Sequence, residues 1–310
     1  MVGAADERRA SAATRVLVTG AAGHLGSHLA PALSAAGFEV TGLDIVEPAS
    51  PPVSWRFIRA DLTDAAATRS AISGAELIVH CASIHPWKSH GDDQYLDSNI
   101  KGTWRLYTEA AGLGIARIVL TSSIAAAGYH RIPPDAWPVG EERVFPLGDL
   151  YSLTKNAQEA IARMFADSGQ VRTIALRPPA FMPVSRLETG FLLTGAFAVV
   201  GDIVSAHVAA VRVLSGSQRP ERPVGAFEAV NVTNKLPYTR ADAHLLEADG
   251  NANRLAEKHW PRGHAWLVRH GYRGVWVPAA YDLAKAQQLL GWQPAYNFEQ
   301  WFAEQTGDAP

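Results

Sequence analysis

The sequence predicts an α/β fold: a Rossmann-type doubly wound parallel sheet with a small C-terminal substrate-binding region. Three observations lead to this prediction. Short apolar segments alternate with helical stretches from Arg15 to Arg177, which is the order that builds a parallel sheet with crossover helices. A glycine-rich run follows the first of these segments. From about Pro178 the alternation stops, and prolines, tryptophans and loops become more frequent.

The apolar segments have the length and composition of strands in a parallel sheet. The first is Arg15-Val-Leu-Val-Thr19, which directly precedes the glycines. The predicted strands cover residues 15–19, 38–44, 55–60, 77–81, 115–121, 171–176 and 228–232. Their order along the chain places the carboxyl ends of the strands at one edge of the sheet, where ligands of such folds bind.

Helical stretches lie between the strands. The first opens within the glycine-rich run and ends at Gly37, a residue type that commonly follows a helix. Two further helices precede the fifth and sixth strands, and two more follow Pro178. The predicted helices cover residues 25–36, 94–111, 150–166, 202–214 and 282–290.

Composition limits the classes of function. The chain has 310 residues, of which 47% are hydrophobic, enough for one large domain or one domain with a cap. A net charge of -2 gives no indication of a nucleic-acid partner or of binding to an acidic membrane surface. Cys81 is the only cysteine, which excludes an intrachain disulfide and fits a reducing, cytoplasmic location. No apolar run approaches the roughly 20 residues of a membrane span.

These features divide the chain into three parts. Residues 1–14 are rich in alanine, carry charges and lack the apolar stretch of a signal peptide, so we expect a flexible tail. Residues 15–177 form the predicted dinucleotide-binding domain. Residues 178–310 are expected to form mainly the substrate-binding region, with some segments returning to the sheet.

The run Thr19-Gly-Ala-Ala-Gly-His-Leu-Gly26 predicts a dinucleotide site. Gly20 and Gly23 permit a tight turn and a close approach of the backbone to a pyrophosphate, while Gly26 lets the helix pack closely on the strand. Free amides at the start of the helix would then face the phosphates. Glycines also serve ordinary turns, but this run follows a strand, opens a helix and is followed by an acidic residue at the next strand end.

That acidic residue, Asp44, can accept hydrogen bonds from both ribose hydroxyls, and its charge would repel a 2′-phosphate. We therefore expect NAD rather than NADP, with a solvated strand end as the alternative role of Asp44. Asp61 could accept from the adenine amino group or cap the next helix. Cys81 is expected to be a small buried residue rather than a nucleophile. The other expected cofactor contacts are His24, Leu25, Leu62, Cys81, Ala82, Ser83, Asn99, Tyr151, Lys155 and Pro178.

Polar side chains after the fifth strand predict a centre for hydride transfer. Tyr151 and Lys155 are spaced to share one face of a helix. A nearby ammonium and the positive ring of oxidised nicotinamide favour the phenolate, which can take the proton of an alcohol while hydride leaves the same carbon. Ser123 would hydrogen-bond the substrate oxygen, and Lys155 would also reach the ribose. Asn99 is the fourth candidate, as the holder of a water or of the adjacent backbone, or as a plain polar helix residue.

With these motifs the chain resembles the extended short-chain dehydrogenase/reductases, the NAD-dependent epimerase/dehydratase group. The resemblance runs from Val16 to about Trp301. It implies a Rossmann domain, a small C-terminal substrate domain and a homodimer built from two helices of each subunit. Besides the glycine run, it rests on Asp61-Leu62, Asn99-Ile-Lys-Gly-Thr103, Thr121-Ser-Ser123, Tyr151-Ser-Leu-Thr-Lys155, Leu176-Arg-Pro178 and Leu290-Gly-Trp-Gln-Pro294.

Departures from the family's patterns narrow the expected chemistry. Where the dehydratases carry an Asp-Glu pair, this chain has Ile124 and Ala125, so elimination lacks its acid and base. Ala180 stands where the sugar-nucleotide 4-epimerases usually have an Asn, and the segment from Pro183 to Asp202 is short for a diphosphate clamp. The chain is more similar to family members that act on small, unconjugated substrates, such as the uronate dehydrogenases. Those enzymes, however, have polar residues after the catalytic Ser. We therefore expect either a less polar substrate or polar contacts to the substrate from residues elsewhere in the chain.

Residues that follow the strand ends predict the substrate wall. For each aromatic residue the alternative is core packing, and for each histidine it is a solvated loop. The histidines near the C-terminus lack regular metal-ligand spacing with nearby acids, so no metal is expected. The wall candidates are His85, Trp87, Ser123, Ala180, Phe181 and Arg186, with Lys88, Tyr129, His130 and Met182 as further positions.

We therefore expect a NAD-dependent oxidoreductase that interconverts a secondary alcohol and a ketone on a small, carbohydrate-like substrate. Two alternatives stay open. One is an epimerase of a sugar or sugar nucleotide that oxidises and re-reduces its substrate on a retained cofactor. The other is a non-catalytic, nucleotide-sensing relative, against which the intact set of Ser123, Tyr151 and Lys155 argues.

Overall fold

Seven parallel strands form one sheet in the order β3-β2-β1-β4-β5-β6-β7. The sheet belongs to a computed structural model that describes residues 13–87, 89–129, 132–246 and 250–307. Most of the expected N-terminal tail, together with Lys88 and His130, lies outside these residues. The strands are β1 (Arg15–Thr19), β2 (Glu39–Asp44), β3 (Arg56–Arg59), β4 (Leu77–His80), β5 (Arg117–Thr121), β6 (Arg172–Arg177) and β7 (Phe227–Asn231).

The strand order is that of a doubly wound sheet, so the predicted fold class is confirmed. The chain runs outward from β1 to β3 and then crosses back to β4 on the other side of β1. Thr19 pairs with His80, and Thr121 pairs with Leu176, so the carboxyl ends of the inner strands lie side by side. The sequence motifs that follow these strands are therefore neighbours in space.

The described residues form eleven α-helices and one π-helical segment, Leu96–Gly102. Helices at the predicted positions are present, with ends that differ by a few residues. The helices are α1 (His24–Ala35), α2 (Ala65–Ile72), α3 (Asp92–Tyr95), α4 (Thr103–Gly112), α5 (Leu150–Asp167), α6 (Arg186–Leu192), α7 (Val200–Ser215), α8 (Asn253–His259), α9 (Pro261–Arg269), α10 (Ala284–Leu290) and α11 (Phe298–Thr306).

Helices α6, α8, α9 and α11 were not predicted, because they are short and follow Pro178, where periodicity gives little signal. Local capping explains two of them. The Ser185 hydroxyl accepts from the Glu188 amide while the Glu188 carboxylate accepts from the Ser185 amide, a capping box at the start of α6. Asn297 and Gln300 form the same arrangement at the start of α11.

Apolar layers cover both faces of the sheet. On one face α1, α7 and α10 contribute buried side chains such as Leu29, Ile203 and Leu289. On the other face α2, α4 and α5 contribute side chains such as Leu106 and Phe165. Helices α7 and α10 and strand β7 come from the second half of the chain, and β7 pairs with β6 at the edge of the sheet.

A separate apolar cluster supports the C-terminal region. It joins Trp260, Phe298 and Trp301 with residues from the segments around Phe197 and Tyr272. The Trp301 indole donates to the carbonyl oxygen of Arg186 at 2.8 Å, which ties α11 to the start of α6. This cluster fixes the segments that face the carboxyl ends of the strands. Among the described residues, no helix has the length and apolar character needed to cross a membrane.

Candidate active site

A cavity of about 280 Å³ lies beyond the carboxyl ends of β4, β5 and β6. The Rossmann layers supply one side of it, through the segments after these strands. The C-terminal region supplies the other side through α6, the segment before α7 and residues 275–278. The glycine turn after β1 lies next to it: the Nε2 atom of His24 is 3.1 Å from the carbonyl oxygen of Phe181, and Phe181 lines the cavity.

The glycine turn has the shape that a dinucleotide requires. Gly20 has a φ of +70°, and a Cβ atom there would lie 2.8 Å from the amide nitrogen of Ala82. A Cβ atom on Gly26 would overlap the carbonyl oxygen of Gly20, so α1 packs tightly on the turn. The side chain of Leu25 is buried beneath it. The first turn of α1 contains no acidic residue, so its free amides are open to an anion.

Asp44 lies against this turn at the end of β2. Its Oδ2 atom accepts from the Ala22 amide at 2.9 Å, and its Oδ1 atom accepts from the Val46 amide at 3.2 Å. The carboxylate is thus held beside the turn by backbone donors on both sides. This placement fits a role toward the ribose and does not resemble a freely solvated strand end.

The expected adenine contacts are less distinctive. The Oδ1 atom of Asp61 accepts from both the amide and the hydroxyl of Thr63, each at 2.8 Å. The N-cap of α2 is the next acid, Asp64, and not Asp61. Leu62 is buried. Asp61 therefore organises the local turn in the ligand-free protein, and Leu62 supplies apolar surface below it.

The segment after β4 passes directly over the glycine turn. Burial raises the pKa of the Cys81 thiol to about 12, and the Thr121 hydroxyl donates to its sulfur at 3.2 Å. This thiol stays protonated at neutral pH, which argues against a nucleophile, although the residue is partly exposed and not fully buried as expected. The Ala82 amide donates to the Thr19 hydroxyl at 3.2 Å. The Ser83 hydroxyl is buried without a protein partner, which leaves a polar atom for a bound nucleotide.

Tyr151 lies in the first turn of α5, and its hydroxyl reaches the cavity. Burial raises the pKa of Tyr151 in the ligand-free protein, and a hydrogen bond with Ser123 opposes that rise. The phenolate that the sequence suggested is therefore not the resting form of this side chain. For Tyr151 to act as a base, the positive charge of a bound oxidised nicotinamide would have to lower the pKa of this tyrosine.

Lys155 is fully buried one helical turn further along α5. Its Nζ atom donates to the carbonyl oxygen of Thr121 at 3.0 Å and lies 5.8 Å from the centre of the Tyr151 ring. Burial lowers the pKa of Lys155 to about 7, although the nearby Glu159 carboxylate acts in the opposite direction. The amine can thus lose or hold a proton near neutral pH.

Ser123 is nearly buried at the cavity wall, where β5 ends. Its Oγ atom accepts from the Ala125 amide at 3.2 Å, and the Ile124 amide donates to the carbonyl oxygen of Pro178. Pro178 also lines the cavity. Backbone hydrogen bonds therefore hold the two strand ends together, with Ser123 on the same side as Tyr151.

Asn99 is fully buried in the π-helical segment, a helix type that is common at functional sites. Its amide oxygen accepts from the Ile84 amide at 2.7 Å, and its amide nitrogen donates to the Ile84 carbonyl and to the Thr154 hydroxyl, each at 3.1 Å. Of the roles considered for Asn99, holding the adjacent backbone is the one that these contacts match. The residue links the segment after β4 to α5, beside Lys155.

A contact that the sequence did not predict joins His85 to Tyr151. The Nδ1 atom of His85 lies 3.3 Å from the tyrosine hydroxyl. Burial and the charge of Lys155 lower the pKa of His85 to about 3, so this ring is neutral at physiological pH. Its plane stacks on Trp87 with the ring centres 5.1 Å apart. The neutral ring of His85 therefore lies within hydrogen-bonding distance of the Tyr151 hydroxyl.

A second unexpected feature is a buried ion pair behind the catalytic strand. The Arg177 guanidinium contacts both carboxylate oxygens of Glu159, at 2.8 and 2.7 Å. The Ser122 hydroxyl donates to the same carboxylate at 2.6 Å. These bonds fix α5 against the ends of β5 and β6, and hence fix Tyr151 relative to Ser123. The Leu176-Arg-Pro178 motif was the only sequence signal for it.

Most wall candidates do face the cavity, namely His85, Trp87, Ser123, Tyr129, Ala180 and Phe181. Arg186 was also expected in the wall, but it does not line the cavity. Its guanidinium is exposed and pairs with Glu304 at 3.2 Å. Met182 packs into the C-terminal apolar cluster. The wall residues that the sequence did not identify come mainly from the C-terminal region: Leu192, Gly195, Ala196, Phe197, Val275, Trp276 and Pro278.

Among the described residues, no group of three or more His, Cys, Asp or Glu side chains is arranged to hold a metal ion. The late histidines have other partners. His264 contacts the amide oxygen of Asn253 at 2.9 Å, and His270 stacks on Trp266.

Comparisons with known proteins agree with this architecture. The uronate dehydrogenase structure from Agrobacterium tumefaciens has a TM-score of 0.67 at 22% sequence identity, covering 96% of this chain and 91% of that one, which shows the shared fold. The UDP-glucose 4-epimerase of Mycolicibacterium smegmatis is 28% identical over 305 residues, covering 90% of this chain and 93% of that protein.

Two further relatives differ in coverage. The decarboxylating sterol-4-alpha-carboxylate 3-dehydrogenase of Candida albicans is 26% identical over 337 residues, covering 92% of this chain and 94% of that protein. An uncharacterized protein of Mycobacterium tuberculosis is 41% identical over 109 residues, but this match spans 35% of the chain and only 12% of that protein's length.

The family assignment rests on more than pairwise similarity. The model of the NAD dependent epimerase/dehydratase family matches residues 16–219, which include the glycine turn, Asp44 and the segment from Tyr151 to Lys155. The strand order, the narrow turn at Gly20 and the carboxylate beside it are what a bound NAD requires. The chain therefore belongs to the NAD dependent epimerase/dehydratase family, whose cofactor is the NAD that the sequence predicted.

Proposed function

We propose that this protein is a NAD-dependent oxidoreductase that interconverts a secondary alcohol and a ketone on a small molecule. One observation carries the proposal: Ser123 and Tyr151 line a cavity that adjoins the glycine turn, and the buried Lys155 lies behind them with its Nζ atom 5.8 Å from the centre of the Tyr151 ring. When NAD is bound, its nicotinamide would accept hydride from the alcohol and return it to the ketone. NAD would be held by the amides after Gly20, by Asp44 and by Lys155.

The side chains of the protein have separate roles in this scheme. Ser123 orients the substrate oxygen toward Tyr151, and the Tyr151 hydroxyl takes or returns its proton. Lys155 favours the tyrosine anion by its charge, because its ammonium lies close to the phenol ring. Asn99 and the ion pair of Arg177 with Glu159 position these groups without contacting substrate.

A dehydrogenase is favoured over a sugar-nucleotide epimerase. Ala180, where those epimerases usually have an Asn, faces the cavity and offers no side-chain amide. The segment after Pro183 folds into α6, whose Arg186 is engaged by Glu304. A diphosphate needs several charge-assisted hydrogen bonds to offset its desolvation, and these residues do not supply them.

Net production of NADH separates the two functions. We expect NADH to accumulate when the purified protein is supplied with NAD and a suitable free alcohol. UDP-glucose and dTDP-glucose should bind weakly or not at all in calorimetric titrations. Micromolar binding of UDP-glucose, with conversion to its 4-epimer and no release of NADH, would establish the epimerase instead.

Cofactor preference should depend on Asp44. The wild-type protein is expected to bind NAD more tightly than NADP by about tenfold or more, because a 2′-phosphate would meet the carboxylate. Asp44→Asn is the matched variant, since the amide oxygen can still accept from the Ala22 amide. In fluorescence titrations, this variant should show a smaller difference between the dissociation constants for NAD and NADP. Equal or tighter binding of NADP by the wild type would mean that the carboxylate does not face the ribose.

We also propose a homodimer formed through α4 and α5. Four large apolar side chains on these helices and the preceding π-helical segment are between 41% and 48% exposed: Leu96, Trp104, Leu153 and Met164. Large apolar side chains exposed on a protein's surface can form an interaction surface, and the resemblance implies a homodimer built from two helices of each subunit. Independently of the dimer, we propose that residues 15–177 form the cofactor domain and that residues 178–310 form mainly the substrate region. We place the protein in the cytoplasm, without a nucleic-acid partner.

Met164→Asp is expected to convert the dimer to a monomer in analytical ultracentrifugation, because a charge would be buried at the interface. Val268→Asp is the control, since Val268 is similarly exposed but lies on α9. A wild-type protein that sediments as a monomer at micromolar concentration would remove this part of the proposal.

A further inference from the structure

We infer that the substrate of this cavity is a compact, uncharged alcohol or ketone whose body around the reacting carbon is mostly apolar. This inference rests on the proposed function, because it assigns a substrate class to the same site. It also separates this chain from relatives whose names specify an epimerase of a sugar nucleotide or a dehydrogenase of a uronate.

The first observation is the charge of the wall. None of the described residues that line the cavity is Asp, Glu, Lys or Arg. His85 is the only titratable imidazole among them, and its burial keeps the ring neutral. A carboxylate or phosphate that entered this cavity would lose its hydration without gaining an opposite charge from these residues, which disfavours anionic substrates.

The second observation is where the polar groups lie. Ser123 and Tyr151 line the cavity, and the hydroxyl of Ser122, which also lines it, already donates to Glu159. The two positions after Ser123 are Ile124 and Ala125, both in the wall. A polyhydroxylated sugar would bury several hydroxyls with few partners, whereas a substrate with one reacting hydroxyl would have its polar group satisfied.

The third observation is the aromatic surface of the cavity wall. Trp87 stacks on His85 and meets the edge of Phe181 with the ring centres 5.8 Å apart. Trp276 packs edge-on against Tyr129, with the ring centres 5.4 Å apart. Leu192 and Phe197 complete an apolar wall. Flat apolar faces of this kind favour a hydrocarbon ring or chain in contact with them.

The size of the cavity limits the substrate further. Ligand cavities of proteins commonly measure roughly 300–1,000 Å³, and this cavity of about 280 Å³ is at the low end. Because Ser123, Tyr151 and Pro178 line it, a bound nicotinamide ring would share the space. A single-ring alcohol fits this description better than a four-ring sterol.

The test measures kcat/KM for NADH formation with five probes: cyclohexanol, menthol, D-galacturonate, UDP-glucose and a 3β-hydroxysteroid. We expect one or both single-ring alcohols to be oxidised with a kcat/KM at least about tenfold above that of each other probe, as differences in apolar contact commonly give about 10–200-fold. Binding of the matching ketone, cyclohexanone or menthone, to the complex with NADH is measured in parallel through tryptophan fluorescence.

Variants connect the preference to the wall. Trp87→Ala removes an aromatic face and should raise KM for the preferred alcohol by about tenfold with little change in kcat. Val268→Ala is the matched control, because Val268 is 39% exposed, close to the 41% of Trp87, and does not line the cavity. An equal effect of both variants on KM would contradict the assigned contact.

The outcomes distinguish this inference from the proposed function. Preferred oxidation of D-galacturonate with release of NADH would overturn the inference and leave the proposed function intact. Oxidation of the steroid alone would contradict the inference that the substrate is compact. Protein that binds NADH, but neither oxidises the single-ring alcohols nor binds their ketones, would also overturn the inference. Protein that does not bind NAD or NADH at all would instead overturn the proposed function.

Discussion

Replacing Tyr151 with Phe is expected to lower kcat/KM for the alcohol by about 10²–10⁴-fold, the usual contribution of a general acid–base group. The hydroxyl of Tyr151 reaches the cavity beside Ser123 and is the group placed to take the substrate proton. Only one hydroxyl is lost and the ring remains, so α5 should keep its position. Binding of NAD, measured by titration, should change little.

Tyr281→Phe is the matched control for this experiment. The hydroxyl of Tyr281 is buried without a protein partner, and the residue does not line the cavity. Its removal should leave turnover unchanged and should not lower the melting temperature, since no hydrogen bond is broken. Near-normal turnover of Tyr151→Phe on an accepted substrate would show that another group transfers the proton.

Replacing Lys155 with Met should have the second large effect, a loss of about 10²–10³-fold in kcat/KM, as when one electrostatic contact to the reacting groups is removed. The loss should be greater than for variants of wall residues. Met keeps an unbranched chain of similar length in the buried position, so the loss reports on the amine. Turnover within about threefold of the wild type would exclude a role for Lys155 near the reacting groups.

The same variant should change how stability depends on pH. The pKa of a lysine is 10.5 in the unfolded chain, and burial lowers the pKa of Lys155 to about 7 in the ligand-free fold. Between these values the unfolded chain binds more protons, so this lysine makes wild-type stability rise with pH from about 7 to about 10.5. Below about pH 7 the fold carries the full cost of burying the ammonium.

Lys155→Met removes that cost. The variant should therefore exceed the wild type in free energy of unfolding by roughly 2–5 kcal/mol near pH 6, and the difference should shrink toward pH 10. Urea denaturation of the two proteins across this range measures it. A difference that is constant with pH would show that Lys155 keeps an ordinary pKa in the fold.

The sequence predicted the parts of the molecule whose signals are local. The strand from Arg15 to Thr19, the glycine turn and the helix after it are adjacent in the chain, and their apolar pattern and glycines specify a conformation directly. Tyr151 and Lys155 could be recognised for the same reason, because helical spacing fixes their relative positions. The position of Asp44 beside the turn follows from the parallel pairing of β1 with β2.

The features of the site that the sequence did not predict depend on contacts between segments that are distant in the chain. Arg186 looked available to a substrate, but its partner Glu304 lies on α11, more than a hundred residues away. Trp276 reaches the cavity because the C-terminal apolar cluster positions its segment, and no local pattern marks it. His85 contacts Tyr151 and follows Ile84, whose amide donates to Asn99, an arrangement that spacing along the chain does not reveal.

Transfer of deuterium from the substrate to the nicotinamide shows whether the protein oxidises an alcohol through Tyr151. An accepted alcohol carrying deuterium on its hydroxyl-bearing carbon is incubated with the protein and NAD, and the nicotinamide product is examined by mass spectrometry. We expect NADH that carries one deuterium and is released into solution, with transfer lost in Tyr151→Phe and retained in Tyr281→Phe. Deuterium that stays in the substrate, or transfer that persists in Tyr151→Phe, would contradict it.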